Sequence, residues 1–267
     1  MSVTSPAQRA AVAAARQARL ELGWGIEAPL TDILALIEGP GDVPVTIGEF
    51  AEGLSGVLLV ERSRAFILLN GRDHPVRQRF TLAHEYGHWR LGHGEVVDGP
   101  DSFTAKATHP DEVQANYFAS EFLAPLPAVT AWMEARGEPA VDLKLVVELA
   151  VAFGISAQVA RIRLESARYL PTARQRNELD RLIQAGEHRH LLYRLDLHEL
   201  QDTIAEAKES LPRLPAGLRV NALTGYETGV LDISRLARML RQAPDETQRE
   251  LDKHGVTQAR TDEEPDW

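Results

Sequence analysis

The sequence predicts an α+β fold in which a small sheet precedes a run of helices. Three observations predict it. Short runs of β-branched and apolar residues are confined to one stretch, 45–69. Helical periodicity, with start and stop residues, fills most of the rest. Hydrophobic residues make up 44% of the 267 residues and charged ones 25%, enough for a core and too apolar for a disordered chain.

Taken in order, Ser5 or Thr4 caps a helix over 6–22, with Pro6 in its first turn. A second helix over 29–38 stops at Gly39-Pro40-Gly41. Three strands follow, over 45–47, 56–60 and 65–69. Pro44 puts the first at a strand start or a sheet edge. The charged linker 61–64 joins the other two as an antiparallel hairpin. Asp73-His74-Pro75 starts a helix that runs to about Leu91, with Val76, Phe80, Ala83 and Gly87 as one buried stripe.

Residues 94–110, rich in Gly, Pro, Ser, Thr and Asp, read as a loop beside a site. Residues 111–123 are helical and stop at Ala124-Pro125-Leu126-Pro127; helices over 127–136, 141–153 and 157–169 come next. Pro171 marks the expected domain boundary, giving a first domain over 1–170 and a helical accessory domain over 171–242. Helices are expected near 172–185, 191–210 and 231–242, and 243–267 as an acidic, frayed tail.

Charge and cysteine content exclude several classes. Asp plus Glu number 39 against 29 Lys plus Arg, a formal charge of −10. Such a chain is poorly suited to neutralising phosphates, and anionic membranes repel it, so neither nucleic acid nor membrane is expected as a direct partner. With no cysteine, disulfide scaffolds, thiolate zinc sites and cysteine nucleophiles are excluded. The N-terminus lacks a secretory h-region, and no apolar run nears the ~18 residues of a membrane span. The expectation is a cytoplasmic protein.

The chemistry lies in two helices. His84-Glu85-Tyr86-Gly87-His88 is an H-E-x-x-H on a predicted helix. Imidazoles at i and i+4 share a face and can meet one zinc at ~2.0–2.1 Å. Glu85, offset by about 100°, reaches a metal-activated water as general base rather than the metal. Gly87 lets a neighbour approach the helix closely. A catalytic zinc takes a third protein ligand. His93, about half a turn out of phase with His84, points away while the helix persists.

Glu112, in the first turn of the next helix, is favoured by helix phase over Asp111 and over the more distant Glu121. Asn116, one turn on, is placed to orient a ligating histidine. Ala115 and Ala119 permit close contact with the first helix, alongside Phe118 and Phe122. Tyr117 and His109 are candidates for oxyanion or substrate contact, whereas Tyr86 points away and packs. Manganese suits the same donors as zinc.

The runs RQRFTLAHEYGHWRLGH and DEVQANYFASEFLAP, with VVELAVAFGISAQVARIRLESARYL after them, resemble a bacterial and phage zinc-peptidase family. That family includes the radiation-response regulator of Deinococcus and the immunity-repressor protease of mobile elements. The resemblance spans roughly residues 30–170. It implies a minimal gluzincin-like core: a small twisted sheet beside the active-site helix, zinc on His84, His88 and Glu112, and Glu85 as base.

It also implies an endopeptidase whose substrate is a helix-turn-helix repressor, linked to transcription regulation and stress response. Some relatives carry such a DNA-binding domain at the N-terminus. Residues 1–40 are too short for one, so the repressor is expected to be encoded separately. In zinc peptidases an edge strand pairs with the substrate, and the strand over 65–69 is the candidate.

Three other readings compete. Gly154-Ile155-Ser156 resembles a helix-turn-helix turn, with Arg161 and Arg163 behind it, but the acidic balance and the apolar Val159, Ala160 and Leu164 oppose DNA binding. His188-Arg189-His190 with His198 reads as a solvated stretch rather than a second metal site. A metal-binding regulatory protein that holds a repressor or antitoxin-like partner without proteolysis would not need Glu85.

Overall fold

The structure is a computed structural model that describes residues 5–50, 53–94, 96–98, 109–197 and 213–258. The chain divides into two compact units, Met1–Leu211 and Pro212–Trp267. No described helix is long and apolar enough to cross a membrane.

The first unit opens with α1 (Pro6–Glu21), where Ser5 and Gln8 form a reciprocal capping box and Pro6 begins the helix. The small side chains of Ala11, Ala15 and Ala18 are fully buried and bring α1 close to its neighbours. α2 (Ile33–Glu38) is shorter than expected, because Asp32 caps it by accepting from Ala35 N at 2.9 Å.

β1 (Val45–Gly48), β2 (Gly56–Glu61), β3 (Arg64–Asn70) and β4 (Val96–Asp98) form a sheet in the order β1-β3-β2-β4. β2 and β3 are the expected antiparallel hairpin, turned by Arg62 and Ser63 at φ 45° and 68°. Two successive left-handed residues match the right-handed twist of the strands. β1 pairs with β3 in parallel, which places β3 in the middle of the sheet.

The strand over 65–69 is therefore not an edge; β1 and β4 are the edges of the described sheet. Its sequence, apolar at every position from Ala65 to Leu69, fits a strand flanked on both sides better than an edge. β4 lies inside the stretch read as a loop; its pair of valines is too short a signal to stand out.

α3 (Pro75–Leu91) crosses the sheet, and α4 (Pro110–Leu123) packs on α3 and α1. α5 (Leu126–Glu134), α6 (Leu143–Phe153) and α7 (Ala157–Ser166) complete the core. α8 (Ala173–Gln184) and α9 (Glu187–Arg194) belong to this unit too. Leu179 and Ile183 of α8 are buried in the same core, so Pro171 is not a unit boundary. The expected helix over 191–210 instead starts at Glu187, behind Gly186 at φ 83°, and 198–210 lie outside the described residues.

The second unit has its own small core of Ala222, Tyr226, Leu236 and Leu251. It is built from α10 (Ala216–Glu227), α11 (Ile233–Leu240) and α12 (Pro244–Lys253). α12 corrects the frayed tail expected after residue 243. Its Thr247 and Leu251 are buried, four residues apart on one face, within a sequence otherwise polar enough to read as tail.

Candidate metal centre

α3 is the central helix of the first unit. From Thr81 to His88 every residue is buried, so the expected stripe is a helix enclosed on all sides. Polar residues fill part of that buried surface, which is why its hydrophobic periodicity is weak. Phe80 is only half-buried. Tyr86 packs as expected, 1% exposed, against Phe118 and Phe122, with its hydroxyl accepting from Arg90 at 3.2 Å.

Gly87 sets how close α4 comes. A Cβ there would lie 2.8 Å from the Phe118 ring, so only glycine fits this approach. Ala115 and Ala119 are fully buried and keep the contact tight. Further along α4, Glu121 is fully buried and answers Arg16 at 2.7 Å and Arg163. Burial lowers the Arg163 pKa, and Glu121 opposes that fall. Glu121 thus ties α1, α4 and α7 together and is not a metal donor. Arg161 pairs with Glu165 and, at 2.9 Å, with Asp180. Both arginines of the DNA-binding reading are therefore ion-paired inside the fold.

This packing brings three donors together. His84 Nε2 lies 3.0 Å from His88 Nε2 and 3.2 Å from Glu112 Oε2. His88 Nε2 is 3.5 Å from Glu112 Oε1. A tetrahedral zinc with bonds of ~2.0–2.1 Å needs donors about 3.3 Å apart. The observed spacings bracket that edge, and two imidazoles with one carboxylate are the donor types of a catalytic zinc. Both histidines are fully buried; the Glu112 side chain is 16% exposed. His84, His88 and Glu112 form the metal-compatible cluster found among the described residues.

Glu85 is fully buried on the sheet side of α3. A Cβ on Gly56 of β2 would sit 2.4 Å from Glu85 Oε1. The absence of a side chain at Gly56 is therefore what leaves room for the carboxylate.

His93 is not one of the three close donors, as expected, but it lies nearer to them than continued helix phase would put it. Gly92 ends α3 in the left-handed conformation, φ 75°, and the His93 amide donates to the His88 carbonyl at 3.0 Å. The chain swings back, and His93 Nδ1 comes 2.9 Å from His88 Nδ1. His93 Nε2 then faces Asp111 Oδ1 at 3.6 Å. One proton arrangement suits this order: His88 donates from Nδ1, His93 accepts at Nδ1 and turns its Nε2–H to Asp111. That leaves the His88 Nε2 lone pair for a metal. Burial lowers the His93 pKa, against the pull of Asp111 and Glu112, which favours this neutral form. The Leu-Gly-His run after the helix carried the signal, since glycine there is the usual left-handed stop.

The other candidates are not among the three close donors. His109 caps α4, is 69% exposed on its side chain, and approaches Asp111 at 3.7 Å. Tyr117 is 38% exposed and sits about 140° around the helix from Glu112. Asn116 is half-buried, one turn beyond Glu112. His188 and His190 join no metal-compatible cluster among the described residues, and His198 lies outside them.

Residues 42–165 match the family model of peptidase family M78, described as the IrrE N-terminal-like domain. This is the family the two helix motifs resembled, and the matched segment holds all three donors and Glu85. No curated protein matches the chain.

Proposed function

We propose that the protein is a zinc-dependent endopeptidase whose ion is held by His84, His88 and Glu112 and whose general base is Glu85. The observation that carries this reading is the spacing of the three donors, 3.0–3.5 Å, within a segment that matches a peptidase family. Bound there, the ion supplies a polarised carbonyl and a water acidic enough to lose its proton near neutral pH. Glu85, next in sequence to a donor and shielded from solvent, takes that proton and delivers it to the leaving amine. His93 and Asp111 hold His88 in its metal-facing tautomer.

The substrate in this reading is a protein, and specifically a separately encoded helix-turn-helix repressor whose cleavage switches on a regulated programme. The acidic chain leaves DNA contact to that partner. The test is Glu85→Gln on the full chain. The proposal expects zinc content to persist while cleavage of a quenched-fluorescent peptide mixture falls by about 10²-fold or more. Cleavage undiminished in the variant would remove Glu85 as base. Loss of cleavage with regulation in the cell intact would favour a binding protein over a protease.

A further inference from the structure

Val76, Phe80, His84 and His88 recur at four-residue steps, so they form a row that runs ~18 Å along α3 from its first turn to the metal donors while winding about 120° around it. The Phe80 and His84 ring centroids are 6.3 Å apart. Upstream of them, the same row lines two cavities of the first unit. The nearer, about 280 Å³, has Val76, Phe80 and Val159 as apolar walls and Arg77 beside them. The farther, about 540 Å³, is lined by Val147, Ala150 and Leu192, with His188 and Arg189 from α9. The two meet at His74, Val76 and Ser156.

The lining has one electrostatic sign. Two arginines and two histidines face these cavities, and among the described residues no Asp or Glu lines either. Arg77 is anchored by the Ser55 hydroxyl at 2.9 Å and by Asp73 at 3.4 Å, which fixes its position. Burial, and then Arg189, push the His188 pKa down, so its imidazole serves as a neutral hydrogen-bonding group. The walls between these groups are aliphatic or aromatic. α9 lies beyond the matched segment, which ends at residue 165, so this lining is an addition to the peptidase core.

We infer that the two cavities form one docking trough for the substrate chain, fitted to a segment of large apolar side chains interleaved with Asp or Glu. The inference rests on the peptidase reading and extends it from the bond cut to the segment held. Five or six extended residues at ~3.3 Å each cover the ~18 Å of α3 between Val76 and His88, so a peptide laid along this row from the trough passes Phe80 toward the donors. A small anion would leave the Phe80 end unfilled. A nucleic-acid strand would meet aliphatic walls on a chain of net charge −10.

The experiment uses the full chain, zinc-loaded, as Glu85→Gln so that bound peptide survives. The probes are two fluorescein-labelled peptides of Leu and Ala that differ only in carrying Glu or Lys at the interleaved positions. Fluorescence anisotropy reads binding. Arg189, exposed on α9, is changed to Glu in the same background. The trough predicts that the Glu peptide binds tighter than the Lys peptide. It also predicts that Arg189→Glu weakens the Glu peptide by at least about fivefold and strengthens the Lys peptide. Equal binding of the two peptides, no binding of either, or an Arg189→Glu variant with unchanged preference would overturn it.

Cleavage of the same peptides by the wild-type chain judges the peptidase reading separately. Cleavage without an Arg189-dependent preference removes the trough and leaves the protease. A charge-swapped preference without cleavage keeps the trough and removes the protease.

Discussion

Glu85 owes its place to a glycine on another element. Gly56→Ala would drive a methyl group into the carboxylate, whose Oε1 lies 2.4 Å from that Cβ position. Peptide cleavage should then fall by about 10²-fold while zinc content stays at the wild-type level; unchanged kcat/KM would mean that Glu85 has no positional role. His93 acts one step further out. His93→Ala removes the acceptor of the His88 Nδ1–H, and zinc affinity, measured by competition with a chelator, should fall about tenfold or more. An unaltered affinity would show that His88 is oriented without it. The donors His84, His88 and Glu112 were legible in the sequence because i,i+4 spacing and helix phase are local properties. His93 was not, because its position depends on where the helix stops: one left-handed glycine turned an outward-facing residue into a partner of His88.

Among the elements, α3 and α4 work as a pair, and their contact has two controls. Gly87 admits Phe118, so Gly87→Ala overpacks the interface at a cost of about 1–3 kcal/mol, visible as a lower midpoint of chemical denaturation. Glu121 locks α4 to α1 and α7. Glu121→Ala would leave Arg163, 7% exposed, without its carboxylate, and should cost about 3–5 kcal/mol. A variant as stable as the wild type would mean that water reaches Arg163. The helices were readable from caps and stops, as at Ser5 and Gly39. The sheet was readable only in part. The hairpin follows from its linker, whereas the parallel pairing of β1 with β3 and the addition of β4 are long-range choices that no local pattern encodes. That is why the strand over 65–69, expected at an edge, lies in the centre.

At the scale of the molecule, the expected boundary at Pro171 failed because Leu179 and Ile183 complete a core that begins far earlier in the chain, at Ala11. A chain cut after residue 170 would lose both side chains, about 3–6 kcal/mol of burial, and should unfold at lower denaturant than one cut after residue 211. Equal midpoints would place α8 outside the folding unit. The amphipathic pattern of 171–242 was visible, but which unit it packs on is decided by side-chain contacts between distant segments. The centre itself is tested most directly by its metal. Zinc per chain should be measured by mass spectrometry for the purified wild type and for Glu112→Ala, after both are offered zinc at neutral pH. A metal centre at His84, His88 and Glu112 predicts about one zinc per wild-type chain and a sharp loss in the variant. A wild type that takes up no zinc would contradict it, and would reduce the three close donors to a hydrogen-bonded cluster.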